Sequence, residues 1–103
     1  MFFKPHFDLD TKQVIADLET KDIYVLDVRT RQEYQEGHIK NAHLIPVDEL
    51  ENRLHELPSE RPIYIYCRSG QRANTAKRKL IEKGFREVYN FGGVVQWPYE
   101  LVK

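Results

Sequence analysis

The stretch Ile63-Tyr64-Ile65-Tyr66-Cys67-Arg68-Ser69-Gly70-Gln71-Arg72 decides how this chain of 103 residues is read. Pro62 opens it, and four consecutive large apolar side chains form a run too short for a helix and too continuous for a half-exposed strand. Such a run is a strand buried on both faces. It breaks off at Cys67, passes a glycine, and gives way to Ala73, Ala76, Leu80 and Ile81 at helical spacing, with Gly84 closing the helix. A buried strand, a tight polar loop and a helix in that order are one half of a strand–helix–strand crossover.

The same alternation extends in both directions. Upstream, Asp10 or Thr11 can cap a short helix with Val14, Ile15 and Leu18 on one face, ending near Thr20. Ile23-Tyr24-Val25-Leu26-Asp27-Val28 is a second doubly buried strand. Thr30 and Glu33 stand at capping-box spacing for a short helix that Gly37 closes. Ala42-His43-Leu44-Ile45 predicts a short strand, and Leu50, Leu54 and Leu57 predict a helix from Val47 to Leu57, with Asp48 as its cap and Pro58 as its stop. Downstream, Phe85 to Asn90 holds a last strand around Val88-Tyr89. Phe91 to Pro98 then forms a turn into a final helical fragment. Strands alternating with helices specify an α/β domain with a mostly parallel sheet flanked by helices. No linker, repeat or low-complexity segment interrupts it, so residues 1–103 are expected to form a single domain.

Composition narrows the function. Hydrophobic residues are 41% and aromatics 12%, which supports a core, although charged residues reach 31%. Sixteen Lys and Arg balance sixteen Asp and Glu, so no bulk positive charge is available for nucleic acid. The distribution is uneven: residues 1–60 hold seven basic and thirteen acidic side chains, residues 61–103 nine and three. Mutual neutralisation on folding accounts for part of this, and a cationic site in the second half for the rest. No run approaches the roughly 18 apolar residues of a membrane span, and Met1 to Asp8 has no apolar core of signal-peptide length. The single Cys excludes a disulfide framework and a zinc site built from cysteines, and it fits a reducing, cytoplasmic setting. Nothing calls for an interface, and a monomer is expected.

In an open parallel sheet, ligands bind beyond the carboxyl ends of the strands, and Cys67 stands there. The loop of six residues from Cys67 to Arg72 contains Gly70, whose freedom at positive φ lets successive N–H groups turn inward around an anion. The helix dipole, Arg68 and Arg72 would stabilise a thiolate or a bound oxyanion. A buried structural Cys would need none of these features. Asp27 and Arg29 sit at the same sheet edge, and their plainest role is to hold loops together through ion pairs. His38 and His43 lack companion ligands at metal spacing, and Trp97 reads as packing.

Taken together, Leu26-Asp27-Val28-Arg29, Glu33-Tyr34, Gly37-His38-Ile39, Ala42, Ile45-Pro46, Cys67 to Ala73, and Gly92-Gly93 with Trp97 resemble the rhodanese (thiosulfate sulfurtransferase) family over about residues 10 to 98. The resemblance implies a three-layer domain with a five-stranded parallel sheet between helices. It implies that Cys67 carries a persulfide and that the backbone of Arg68, Ser69, Gly70, Gln71 and Arg72 surrounds the sulfur. It places Asp27 and Arg29 beside the loop as supports. The chemistry also follows from the residues. A soft thiolate attacks sulfur well, and Arg68, Arg72 and backbone N–H groups could stabilise departing sulfite. The expected partners are a small anionic sulfur donor and a cyanide or thiol acceptor, with no metal or organic cofactor.

Two other readings share these residues. Cys-dependent phosphatases and arsenate reductases also use a Cys loop; the tyrosine-type and dual-specificity phosphatases need an Arg where this chain has Ala73, and a phosphoryl group with three equatorial oxygens needs a wider ring of donors than this loop supplies. A catalytically idle module of the same fold could instead bind a partner or sense oxidants through Cys67.

Overall fold

All five residues of Ile63–Cys67 are buried, and this strand occupies the centre of the sheet. The computed structural model describes residues 7–103. The reading of the chain's first residues as no export segment falls mainly on Met1 to His6, outside the described residues. In chain order the elements are α1 (Thr11–Thr20), β1 (Tyr24–Asp27), α2 (Arg31–Glu36), β2 (His43–Leu44), two 3-10 segments (Val47–Asn52 and Leu54–Glu56), β3 (Ile63–Cys67), α3 (Gln71–Glu82), β4 (Val88–Gly93) and a last 3-10 turn (Val94–Gln96). The strands lie in the order β2-β1-β3-β4, all parallel. Among the described residues the sheet has four strands, one fewer than the resemblance implied.

Strand periodicity explains the layers, because successive side chains leave a strand on opposite faces. Leu26, Ile63, Ile65 and Cys67 point to one face, where they pack with Leu50, Leu57 and with Ala73, Ala76 and Leu80 of α3. Val25, Tyr64 and Tyr66 point to the other, where Val14 of α1, Ile39 and Phe91 meet them, and Trp97 packs beside Phe91. Each fully buried Leu or Ile contributes about 1.5–3 kcal/mol. The two faces are thus two separate clusters, and the continuous apolar runs of β1 and β3 serve both.

The stretch from Val47 to Leu57 is wound more tightly than the α-helix its leucines predicted. Pro46 precedes it, Asp48 makes no capping bond, and Glu49, Arg53, Glu56 and Leu57 donate to carbonyls three residues back. Leu50 and Leu57 are buried all the same, so apolar spacing does not distinguish the two windings. β4 begins at Val88, inside the strand expected from Phe85 to Asn90, and continues through Phe91, Gly92 and Gly93, where a turn is expected. The helical fragment expected after Pro98 is instead an irregular segment. Its Val102 exchanges two backbone hydrogen bonds of 2.8 Å with His38. Ion pairs of Arg61 with Asp22, Arg72 with Glu33, Lys77 with Asp8 and Lys79 with Glu51 join the basic second half to the acidic first half. Among the described residues no helix is long and apolar enough to cross a membrane.

Candidate active site

β3 ends by delivering Cys67 to the carboxyl edge of the sheet, with only 1% of the residue exposed. The chain then turns through Arg68 and Ser69, both exposed, to Gly70 at φ +108° and ψ −14°, a left-handed conformation that a side chain would strain. That turn aims the Gly70 N–H at Cys67 Sγ, 3.0 Å away.

Two carbonyl groups of the loop are tied from behind. Val95 N–H donates to the Arg68 carbonyl at 3.3 Å, and Asn90 Nδ2 donates to the Gly70 carbonyl at 3.0 Å. Gly93 lies so close behind that an added Cβ would stand 2.2 Å from the Arg68 oxygen and 2.4 Å from that of Cys67. With the Arg68 and Gly70 carbonyls held from behind, the Gly70 amide stays turned to the sulfur. α3 begins at once, and its N-cap Gly70 offers no side-chain acceptor. The first N–H groups of a helix have no intrahelical acceptor, so those of Gln71, Arg72 and Ala73 have no partner within α3.

Asn90 was not singled out in the sequence. It is 2% exposed on β4, donates to Gly70, and accepts from Gly92 N–H at 2.8 Å, so one side chain joins the loop to the strand behind it. Its only sequence signal is an amide inside the apolar run from Val88 to Phe91.

The cationic residues divide between paired and exposed. Arg72 gives both Nη atoms to Glu33, at 2.6 and 2.9 Å, and is already half of an ion pair. Hydrogen bonds from Arg72 lower the Glu33 carboxyl from its usual 4.5 to about 2, against the opposing effect of burial. Arg68 is exposed, and Gln71 is exposed beside it. Asp27 and Arg29 form a buried pair, with Nη2 to Oδ2 at 2.7 Å, and Nη2 also donates to the Gly37 carbonyl at 2.7 Å. Asp27 further accepts from the Tyr66 hydroxyl at 2.6 Å, and that oxygen accepts from Ile39 N–H at 3.0 Å. Burial, and then the Asp27 charge, push the Tyr66 phenol above its ordinary pKa, so it remains the donor.

Asp27 belongs to the face opposite Cys67. This network reaches the loop through Tyr66, the chain neighbour of Cys67, and makes no hydrogen bond to residues 67–72. A cavity of about 250 Å³ opens beside the loop, bordered by Arg29, Glu33, Glu36, Arg68, Val94 and Leu101. His38 and His43 lie in separate stacks, on Tyr34 and Tyr24.

A family model for the rhodanese-like domain matches residues 10–99. The chain belongs to this family. A sulfurtransferase of Allochromatium vinosum is 36% identical over 92 residues, 87% of this chain and 86% of the relative. The thiosulfate sulfurtransferase GlpE of Coxiella burnetii is 31% identical over 98 residues, 94% of this chain and 89% of the relative. Among solved structures, reduced Bacillus anthracis CoADR-RHD superposes on 92% of this chain with a TM-score of 0.81 and 35% identity, and the match spans 18% of that longer chain. These relatives support a sulfurtransferase built on the rhodanese-like fold.

Proposed function

We propose that the protein moves a sulfane sulfur from thiosulfate, or from another persulfide-type donor, to cyanide or a thiol through a persulfide on Cys67. The observation that carries this reading is the Gly70 N–H on Cys67 Sγ, next to a helix start without a side-chain cap. The relatives named as sulfurtransferases support it.

In the first half-reaction the Cys67 thiolate attacks the outer sulfur of thiosulfate. The donor S–S bond breaks, its electron pair leaves with sulfite, and a new S–S bond joins the sulfur to Cys67. In the second, the acceptor attacks that outer sulfur and the Cys67 thiolate departs, giving thiocyanate or a new persulfide. The Gly70 amide on the sulfur is fixed by the backbone before reaction, so it needs no reorganisation as charge moves. Burial of the Cys excludes water, which strengthens those contacts and shields the persulfide.

Intact mass after incubation with thiosulfate tests this. One added sulfur atom is expected, removable by cyanide and absent in Cys67→Ser. An unmodified wild-type protein, or undiminished transfer by Cys67→Ser, would refute the reading.

A further inference from the structure

Three guanidinium groups border the Cys67 loop or the cavity beside it, and two of them are committed. Arg29 is paired with Asp27 and Arg72 with Glu33, whereas Arg68 has no ion pair among the described residues. The cavity wall adds the carboxylate of Glu36, which is exposed. Positive and negative charges of the described residues around this mouth therefore balance, although the loop sequence alone promises an excess of cations.

We propose that Glu33 is a specificity-determining residue: by holding Arg72 it leaves Arg68 as the mouth's uncommitted cation among the described residues, and so favours persulfide donors of low charge over doubly charged thiosulfate. This rests on the sulfur-transfer reading and names its preferred substrate class. Glu33 is pinned for the task by its own helix. Thr30 N–H donates to its Oε1 at 3.0 Å, Thr30 Oγ1 at 3.1 Å, and Glu33 N–H returns a bond of 3.2 Å to Thr30 Oγ1. The carboxylate cannot swing away to release Arg72 without breaking the cap of α2. Coulomb energy scales with charge, so a dianion loses twice as much as a monoanion when one cation is neutralised, and an uncharged donor loses least. With a persulfide donor, the Cys67 thiolate attacks the outer sulfur of R–S–SH. The S–S bond of the donor breaks, its electron pair leaves with R–S⁻, and a new S–S bond leaves the Cys67 sulfur carrying the outer SH.

Glu33→Gln tests the assignment, because Gln also serves at this position of a capping box while removing the charge. The measurement is kcat/KM with thiosulfate and with β-mercaptoethanol persulfide, at low and high salt. For thiosulfate, a rise of about three- to tenfold is expected at low salt. The persulfide should gain less, and the difference should close near 1 M salt, where the screening length is about 3 Å. A merely loosened structure would not give a gain that salt erases. Glu36→Gln, on the exposed wall of the same cavity, should move the donor ratio in the same direction by less, and it decides the matter should Glu33→Gln fail to fold. A donor ratio unmoved in the folded variants overturns the assignment while leaving sulfur transfer intact. A wild-type protein that takes sulfur from neither donor overturns the sulfur-transfer reading itself.

Discussion

Two chain segments cross from a strand to a helix at the same edge of this sheet, and they treat their polar groups in opposite ways. From β1 to α2, Asp27, Arg29, Thr30 and Glu33 spend their donors and acceptors on one another, and the helix start is closed by a reciprocal cap. From β3 to α3, the helix start has a glycine where a capping side chain would be, and one loop amide points at a sulfur atom. The first crossing closes its helix start with its own side chains, and the second leaves its helix start without a side-chain cap. Polar residues at a sheet edge are thus not interchangeable evidence of a site; what separates them is whether their hydrogen bonds are already used. The crossings also touch, since the carboxylate that caps α2 is the one that holds Arg72 in the first turn of α3.

The largest effect should come from breaking the closed crossing. Asp27→Ala leaves the Arg29 guanidinium buried without its partner and removes the acceptor of Tyr66, and loss of one member of a buried pair costs about 3–5 kcal/mol. Urea unfolding should show that loss; a midpoint near wild type would mean that the network is not structural.

Arg68→Ala should act in the opposite way. The side chain is exposed, so stability should stay within about 0.5 kcal/mol of wild type. Sulfur transfer from thiosulfate should fall roughly tenfold through the loss of a charge-assisted contact, as steady-state kinetics would show. Equal losses of stability and activity would erase the distinction between the crossings.

The smallest effect is a pH dependence of the contact between them. The Glu33 carboxyl titrates near 2 in the folded protein, below its usual 4.5, chiefly because Arg72 donates to it. A carboxyl depressed by folding adds stability that is complete above its unfolded pKa and is lost as pH falls through the folded one. The stability difference between wild type and Glu33→Gln should therefore be constant above about pH 5 and vanish as pH falls toward 2. Both side chains are partly solvated, which limits the difference to about 1 kcal/mol. A difference that grows on acidification would contradict the pairing.

What the sequence made legible follows the range of the signals. The β3 run, the Cys67 loop and the start of α3 are contiguous, and so is the Thr30–Glu33 cap; both stand where the residues put them. The winding of Val47 to Leu57 was misread because buried leucines satisfy either helix type. β4 was cut short because its continuation through Gly92 and Gly93 depends on pairing with β3, which no local pattern records. The engagement of Arg72 by Glu33 spans 39 residues of sequence. A capping-box glutamate shows its local role, and the second use of its carboxylate is visible only once the two helices are side by side. Asn90 was missed for the same reason, as its partners Gly70 and Gly92 meet only in the fold.

The central claim is that the uncapped start of α3 cradles the sulfur carried by Cys67. Backbone amide NMR of the protein before and after loading with thiosulfate tests it most directly. The account predicts that the amide resonances of Gly70, Gln71, Arg72 and Ala73 shift on persulfide formation, while those of Arg31, Gln32 and Glu33 at the capped start of α2 stay in place. Unmoved resonances at residues 70–73 in a protein shown by mass to carry the extra sulfur would contradict it.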